Sequence, residues 1–142
     1  MKFETKYHGI IEYDESEVIH MVKGMTAFET LKKYVLLPVE DNEVFKLFHS
    51  IEDSYIGFIV LSPYYVKKDY KVDLDSNVIE ELKIKDEKDV LIVNTVTLSD
   101  KIEEITTNLS APIIINIKER LGKQIIISEN EKMVKYPIIN SR

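Results

Sequence analysis

Thr106-Thr107-Asn108-Leu109-Ser110-Ala111-Pro112-Ile113-Ile114-Ile115-Asn116 is the stretch whose reading decides the fold. It runs from a polar approach, through a tight corner, into a strand. Pro112 has a fixed φ and no N–H to give to a ladder, which places it at the first residue of a strand. Beyond it, Ile113, Ile115 and Ile117 alternate with Ile114, Asn116 and Lys118, a period of two that is apolar on both faces at its start. Asn108 can bond its own backbone two residues on and tolerates unusual φ, so it marks the corner. By its physics alone this is a scaffold corner with no chemistry attached.

Working outward, the chain has 142 residues, the size of one domain with one real core. Hydrophobic residues make up 44% and charged residues 31%, which places it among globular rather than disordered chains. The absence of cysteine excludes disulfides, thiolate metal sites and a cysteine nucleophile, and fits a reducing compartment such as the cytoplasm. The opening Met1-Lys2-Phe3-Glu4-Thr5-Lys6 has no apolar run, so no signal peptide is expected. No apolar stretch reaches the roughly 18 residues of a spanning helix, so no membrane crossing is expected. The net charge of -6 argues against a nucleic-acid backbone as partner; it fits either a basic protein partner or solubility alone.

Strands are predicted over 3–7, 10–13, 18–22, 34–39, 44–48, 57–61, 90–97, 102–107 and 113–117. A turn at Leu121-Gly122-Lys123 leads to a final strand over 124–128. Thr26 and Glu29 have capping-box spacing, which predicts a short helix over 27–33 with Phe28 and Leu31 on its buried stripe. Asn77 and Glu80 likewise predict a cap for a second helix through Leu82, with Val78, Ile79 and Leu82 on one face. The tail from Glu129 is polar and is expected to fray, although Tyr136-Pro137-Ile138-Ile139 could pack. Many short strands with two short helices and no βαβ alternation predict a mainly β (α+β) domain. Closing it, fully or nearly, into a small barrel would remove exposed edges from strands this rich in isoleucine.

Little in the chain points to catalysis. The four glycines are too scattered to cradle a phosphate. None of His8, His20 and His49 has the i, i+4 partner of a helical zinc site. Adjacent carboxylates at Glu52-Asp53, Glu80-Glu81 and Glu103-Glu104 diverge on any regular element, so they read as solvated faces rather than acid/base pairs. His49 and Ser50 are neighbours on a strand and point to opposite faces. Tyr64-Tyr65-Val66-Lys67-Lys68-Asp69-Tyr70 could stack single-stranded bases, or could cover the barrel with its hydroxyls in water. Tyrosines are also enriched at protein interfaces.

Several segments taken together resemble the flagellar assembly factor FliW family. Gly24-Met25-Thr26-Ala27-Phe28-Glu29 is similar to the family's Gly-Leu-Pro-Gly-Phe-Glu, with Thr26 and Ala27 in place of proline and glycine. Phe48-His49-Ser50-Ile51-Glu52-Asp53 is similar to Leu-Gln-Ser-x-Glu-Asp. Phe58 to Pro63, followed by Asp69-Tyr70, resembles the next block. Asn108 to Asn116 matches Asn-Leu-x-Ala-Pro-Ile-x-Ile-Asn without departure, and Arg120-Leu121-Gly122-Lys123-Gln124 resembles the closing block. The order and spacing of the blocks carry the resemblance across most of the chain.

The resemblance implies a compact β-barrel-like domain without catalytic activity; no metal and no cofactor is expected. It implies a cytoplasmic regulator that binds flagellin and also binds the RNA-binding translational repressor CsrA, antagonising it allosterically by partner switching. On this reading the interface is expected around Glu52, Asp53 and Tyr55 and around Tyr64, Tyr65 and Tyr70. Gly24, Phe28, Glu29, Ser50, Phe58, Pro63, Asn108, Ala111, Pro112 and Asn116 are expected to be structural. The alternatives are a small-molecule-binding or enzymatic β-barrel, whose mark would be His20 or His49 beside a carboxylate in a buried cleft, and nucleic-acid binding through Lys67 and Lys68.

Overall fold

The structure is a computed structural model and describes residues 1–139. Its strands are β1 (Lys2–Glu4), β2 (Ile10–Glu12), β3 (Ile19–Met21), β4 (Lys33–Val39), β5 (Asn42–Ser50), β6 (Gly57–Leu61), β7 (Val90–Thr97), β8 (Thr106–Thr107), β9 (Ile113–Asn116), β10 (Leu121–Gln124) and β11 (Tyr136–Pro137). Its helices are α1 (Ser76–Glu81) and α2 (Glu131–Val134). Strands β3 to β7 form an antiparallel meander. β7 pairs with β9, β9 with β10, and β10 runs parallel to β3, which closes the ring. The expected small closed barrel with two short helices is therefore what the chain forms. β8 and β11 extend the sheet beyond β7, and β1 and β2 form a separate hairpin.

Strand β9 shows why the isoleucines are needed. Ile113 and Ile115 join Ile19, Met21, Met25, Tyr34, Phe48, Val60 and Val93 inside the barrel. Ile114 points the other way, into a cluster with Val78 and Leu82 of the α1 segment. All three isoleucines are fully buried, because α1 covers the outer face of the strand that fills the inner one. A second cover lies elsewhere on the barrel: Phe3 and Ile11 of the β1–β2 hairpin pack on Val35, Leu47 and Ile59. Burying one isoleucine contributes about 1.5–3 kcal/mol, so these two covers hold much of the barrel's outer surface in place.

The helix expected over 27–33 does not form. Gly24 and Ala27 both have positive φ, +67° and +73°, and Met25 forms an isolated bridge with Phe28. Two left-handed residues three apart are incompatible with a right-handed helix. Phe28 and Leu31 still face the barrel core, so their spacing reported burial correctly and conformation wrongly. A complete capping box occurs instead at Asp14 and Glu17, on a single 3-10 turn.

Other boundaries move for equally local reasons. The turn expected at Leu121-Gly122-Lys123 lies at 117–120, and residues 121–123 belong to β10. Asn116 Oδ1 accepts from the N–H groups of Lys118 and Glu119, at 3.0 and 3.2 Å, and Arg120 takes a φ of +57°. Beyond Gln124 the expected strand gives way to irregular chain, although Ile125 and Ile127 still donate to Pro112 and Ser110 carbonyls. α1 is capped by Asp75, whose carboxylate accepts from Val78 N–H at 2.9 Å, not by Asn77. Ile79 is exposed, outside the buried stripe. The strand expected over 102–107 splits into a 3-10 turn, Ile102–Glu104, and β8. In the tail expected to fray, α2 and β11 form, with Tyr136 opposite Thr107; residues 140–142 lie outside the described residues.

Candidate partner-binding surface

Two loops at opposite ends of β6 carry the residues singled out from the sequence. The loop entering β6 holds Glu52, Asp53 and Tyr55; the 3-10 turn leaving it, Pro63–Tyr65, holds Tyr64 and Tyr65. Five residues of strand separate them, about 17 Å at the ordinary rise. They are two patches, not one.

At the entering end, Ser50 is fully buried and its hydroxyl oxygen accepts from the N–H groups of Glu52 and Asp53, both at 3.0 Å. Asp53 Oδ1 accepts from Tyr55 N–H at 2.8 Å. Glu52 Oε1 accepts from Lys32 and Lys33 N–H, at 2.6 and 2.8 Å, tying this loop to the start of β4. The Lys33 N–H foremost, with that of Lys32, holds the Glu52 carboxyl below its usual range. Both acids thus face the protein's own backbone. Tyr55 remains 59% exposed, and Tyr7 from the β1–β2 hairpin tip, 70% exposed, meets it edge to face with ring centroids 6.4 Å apart. Sequence reasoning missed Tyr7; its only signal was an aromatic residue beside the turn at Gly9.

The hairpin also covers His49, which lies on the outer face of β5 and is 1% exposed. Its Nδ1 donates to the Ser50 carbonyl at 2.6 Å, and its ring meets His8 and Phe3. Burial pushes the imidazole below its ordinary pKa; the Ser50 carbonyl opposes this, the His8 charge adds to it, and Asp53 opposes it. His20 is exposed on β3. The barrel interior is filled by the packed cluster around Tyr34 and Phe48, whose rings stack 4.6 Å apart. Burial, reinforced by the Glu52 and Asp53 charges, pushes the Tyr34 phenol up to about 12.

At the leaving end, Tyr64 and Tyr65 are exposed. Tyr70 is not: it is 4% exposed and its hydroxyl donates to the Leu109 carbonyl at 2.6 Å. Tyr70 therefore supports the corner rather than presenting a surface, which corrects its expected place in the interface and the expectation of a hydroxyl in water. Burial pushes its phenol up in pKa. Lys67 pairs with Asp69 at 2.9 Å, so one of the two lysines of this stretch has a carboxylate beside it. Pro63 is buried at the first position of its turn. An open groove of about 810 Å³ runs from Tyr64 past Val72 and Ile79 to Leu91.

The other acidic pairs stay apart from both patches: Glu81 binds Lys123 at 2.6 Å, and Glu103 and Glu104 lie exposed on the 3-10 turn before β8. Among the described residues no group of three or more His, Asp or Glu is placed to hold a metal, and no helix is long and apolar enough to cross a membrane.

The remaining motif residues build the scaffold between the patches. Asn108 Oδ1 accepts from the Ser110 hydroxyl at 2.6 Å and its N–H at 3.0 Å, while the Asn108 carbonyl accepts from Asn94 Nδ2 at 2.7 Å. Asn116 Nδ2 donates to the Leu82 and Lys83 carbonyls, fastening the end of α1 to β9. Ala111 and Pro112 are buried between them. Phe28 packs edge to face on Phe58, ring centroids 6.0 Å apart, and Glu29 Oε1 accepts from Ala27 N–H at 3.3 Å. Gln124 joins the two segments: its Nε2 donates to the Ala111 carbonyl and its Oε1 accepts from Thr26 N–H, each at 3.1 Å.

The FliW protein family model matches residues 2–138. The chain belongs to the FliW family of flagellar assembly factors. The flagellar assembly factor FliW of Clostridium acetobutylicum is 63% identical over 141 residues, 99% of this chain and 100% of the relative. That of Clostridium novyi is 56% identical over 138 residues, 97% and 96% respectively. A crystal structure of the flagellar assembly factor FliW superposes with a TM-score of 0.91 at 34% identity, covering 100% of this chain and 99% of that one. In this FliW family member, position 27 has positive φ, the conformation that the glycine of the family block adopts without cost.

Proposed function

We propose that this chain is a non-catalytic, cytoplasmic regulator of flagellum assembly that binds flagellin and antagonises the RNA-binding regulator CsrA by exchanging one partner for the other. The observation that carries the reading is the family match over residues 2–138, on a barrel whose interior is taken up by side chains. The surface contacts on this reading are Glu52, Asp53 and Tyr55 at one end of β6, and Tyr64 and Tyr65 at the other, with Tyr70 buried behind them. Two partners exclude one another if their sites overlap or if the complexes are coupled. Calorimetric titration of the full chain against flagellin and CsrA from the same source tests this. Heat with each partner, and loss of the CsrA heat after saturation with flagellin, is the expected outcome. No heat with either, from a sample that melts cooperatively, overturns it.

A further inference from the structure

We propose that the β1–β2 hairpin is a proton-responsive flap, which lies over the neutral imidazole of His49 and lets go of the barrel when that ring is protonated. The flap belongs to the chain itself, whichever partners it binds.

The hairpin is attached lightly. β1 and β2 pair only with each other, as a two-stranded sheet apart from the barrel. Among the described residues a single hydrogen bond joins residues 1–13 to the rest, from Lys6 N–H to the Ser54 carbonyl at 2.7 Å. Side-chain packing does the remainder: Phe3 and Ile11 on Val35, Leu47 and Ile59, Phe3 and His8 on the His49 ring, and Tyr7 on Tyr55. The chain leaves the hairpin through the capped turn Glu15–Glu17, whose hydrogen bonds run between residues 14 and 18 alone. The hairpin can swing about that turn without breaking it.

His49 is the titratable group beneath this cover, 1% exposed. With Nδ1–H donating to the Ser50 carbonyl, Nε2 is where a further proton is added. On the barrel side the ring lies against Gly57, where a Cβ would run into it. On the solvent side it is covered by Phe3 and His8, with ring centroids 6.3 and 5.7 Å away. Its strand partners, Val35 of β4 and Gly57 of β6, carry no charge. The charged groups that reach it are His8 from the hairpin and Asp53 from the loop entering β6. Burial is the foremost influence and lowers the pKa of the covered ring; the Ser50 carbonyl opposes it, His8 adds to it and Asp53 opposes it. Swinging the hairpin away returns the ring to water and to its ordinary pKa of about 6.5. A proton therefore binds the open arrangement more tightly and, by linkage, draws the hairpin open. Release uncovers the apolar face at Val35, Leu47 and Ile59 and parts Tyr7 from Tyr55, so what this end of β6 presents changes with pH.

Amide hydrogen exchange of the full chain tests this, followed by NMR between about pH 7.5 and pH 5 and corrected for the intrinsic rate. The Lys6 amide reports the flap, and the Ile115 amide, inside the barrel, reports global unfolding. The expected Lys6 opening constant is level above about pH 7 and rises below about pH 6.5 by up to about tenfold per pH unit, while Ile115 stays protected. His49→Gln, neutral throughout, is expected to remove the rise, and His8→Gln to keep it. A level Lys6 profile in the unaltered chain overturns the flap. So does a rise that Ile115 matches, which is unfolding of the whole chain, or a rise that survives His49→Gln. Should that variant fail to fold, the imidazole titration of the unaltered chain decides. A His49 midpoint below about 6.5 that accompanies the Lys6 rise supports the flap, and a midpoint at or above that value overturns it.

Discussion

Residues 24–29 and residues 108–116 both turn the chain sharply against the same barrel, and they do so by different means. The first segment relies on backbone conformation: Gly24 and Ala27 at positive φ, with the backbone of Glu29 lying where a Cβ on Gly24 would go, 2.6 Å from its Cα. The second relies on side-chain amides: Asn108 Oδ1 accepts from Ser110 N–H, Asn94 Nδ2 donates to the Asn108 carbonyl, and Asn116 holds the Lys118 N–H with its Oδ1 and the Leu82 carbonyl with its Nδ2. A turn held by side chains is written in residue types that are specific and easy to recognise. A turn held by backbone geometry is written mainly as glycine, and where alanine takes that place the local sequence resembles a helix.

The contrast can be broken by three measurements, taken from the largest effect to the smallest, and a fourth sets a residue held by burial beside them. Asn116→Ala leaves the Leu82 and Lys83 carbonyls and two turn N–H groups without their partner; a loss of about 3 kcal/mol in denaturant unfolding is expected. An unchanged midpoint would show that the amide is not what fastens α1 to β9. Gly24→Ala should cost about 2 kcal/mol, since it meets both an unfavourable φ and immovable backbone. Ala27→Gly should do the opposite and stabilise by about 1 kcal/mol, because the left-handed conformation costs alanine more than the added chain freedom costs glycine. A loss on Ala27→Gly would mean that the first segment is not limited by its backbone.

The smallest effect concerns His49, which belongs to neither turn and is held by burial. Its pKa is lowered in the folded chain, so the unfolded chain takes up a proton first as pH falls below about 6.5, and stability should decline from there towards the folded pKa. Above that pH the group is neutral in both states and contributes no slope. His49→Gln should flatten the melting temperature between pH 7 and pH 5 by roughly one histidine's worth of titration. An equally steep profile in the variant would assign the acid sensitivity to other groups.

The barrel strands were legible because burial on two faces leaves a direct trace. The 57–61 and 90–97 runs coincide with β6 and β7, and Ile113-Ile114-Ile115 announced a strand covered on both sides. The Thr26–Glu29 spacing misled because a capping box requires helical φ along the following turn, and Ala27 does not have it. Gly122 misled in the other direction. It reads as a turn, yet it lies inside β10, where an added Cβ would come within 2.6 Å of Met21 Sδ; the glycine serves close approach, not bending. Of the candidate surface, the sequence offered Tyr55, Tyr64 and Tyr65 correctly as exposed, but not the meeting of Tyr55 with Tyr7, which depends on a long-range contact that no local pattern encodes.

The parallel pairing of β10 with β3 sets Leu121 beside His20 and Gly122 beside Met21. A chain growing on the ribosome therefore carries β3 with one edge unpaired until β10 is made, and the ring cannot close until residues near Gln124 have emerged from the exit tunnel. Nascent chains truncated before that point expose an open sheet and are the species most at risk of sticking to one another. Closure of the ring thus waits on β10, however much of the meander has paired before it.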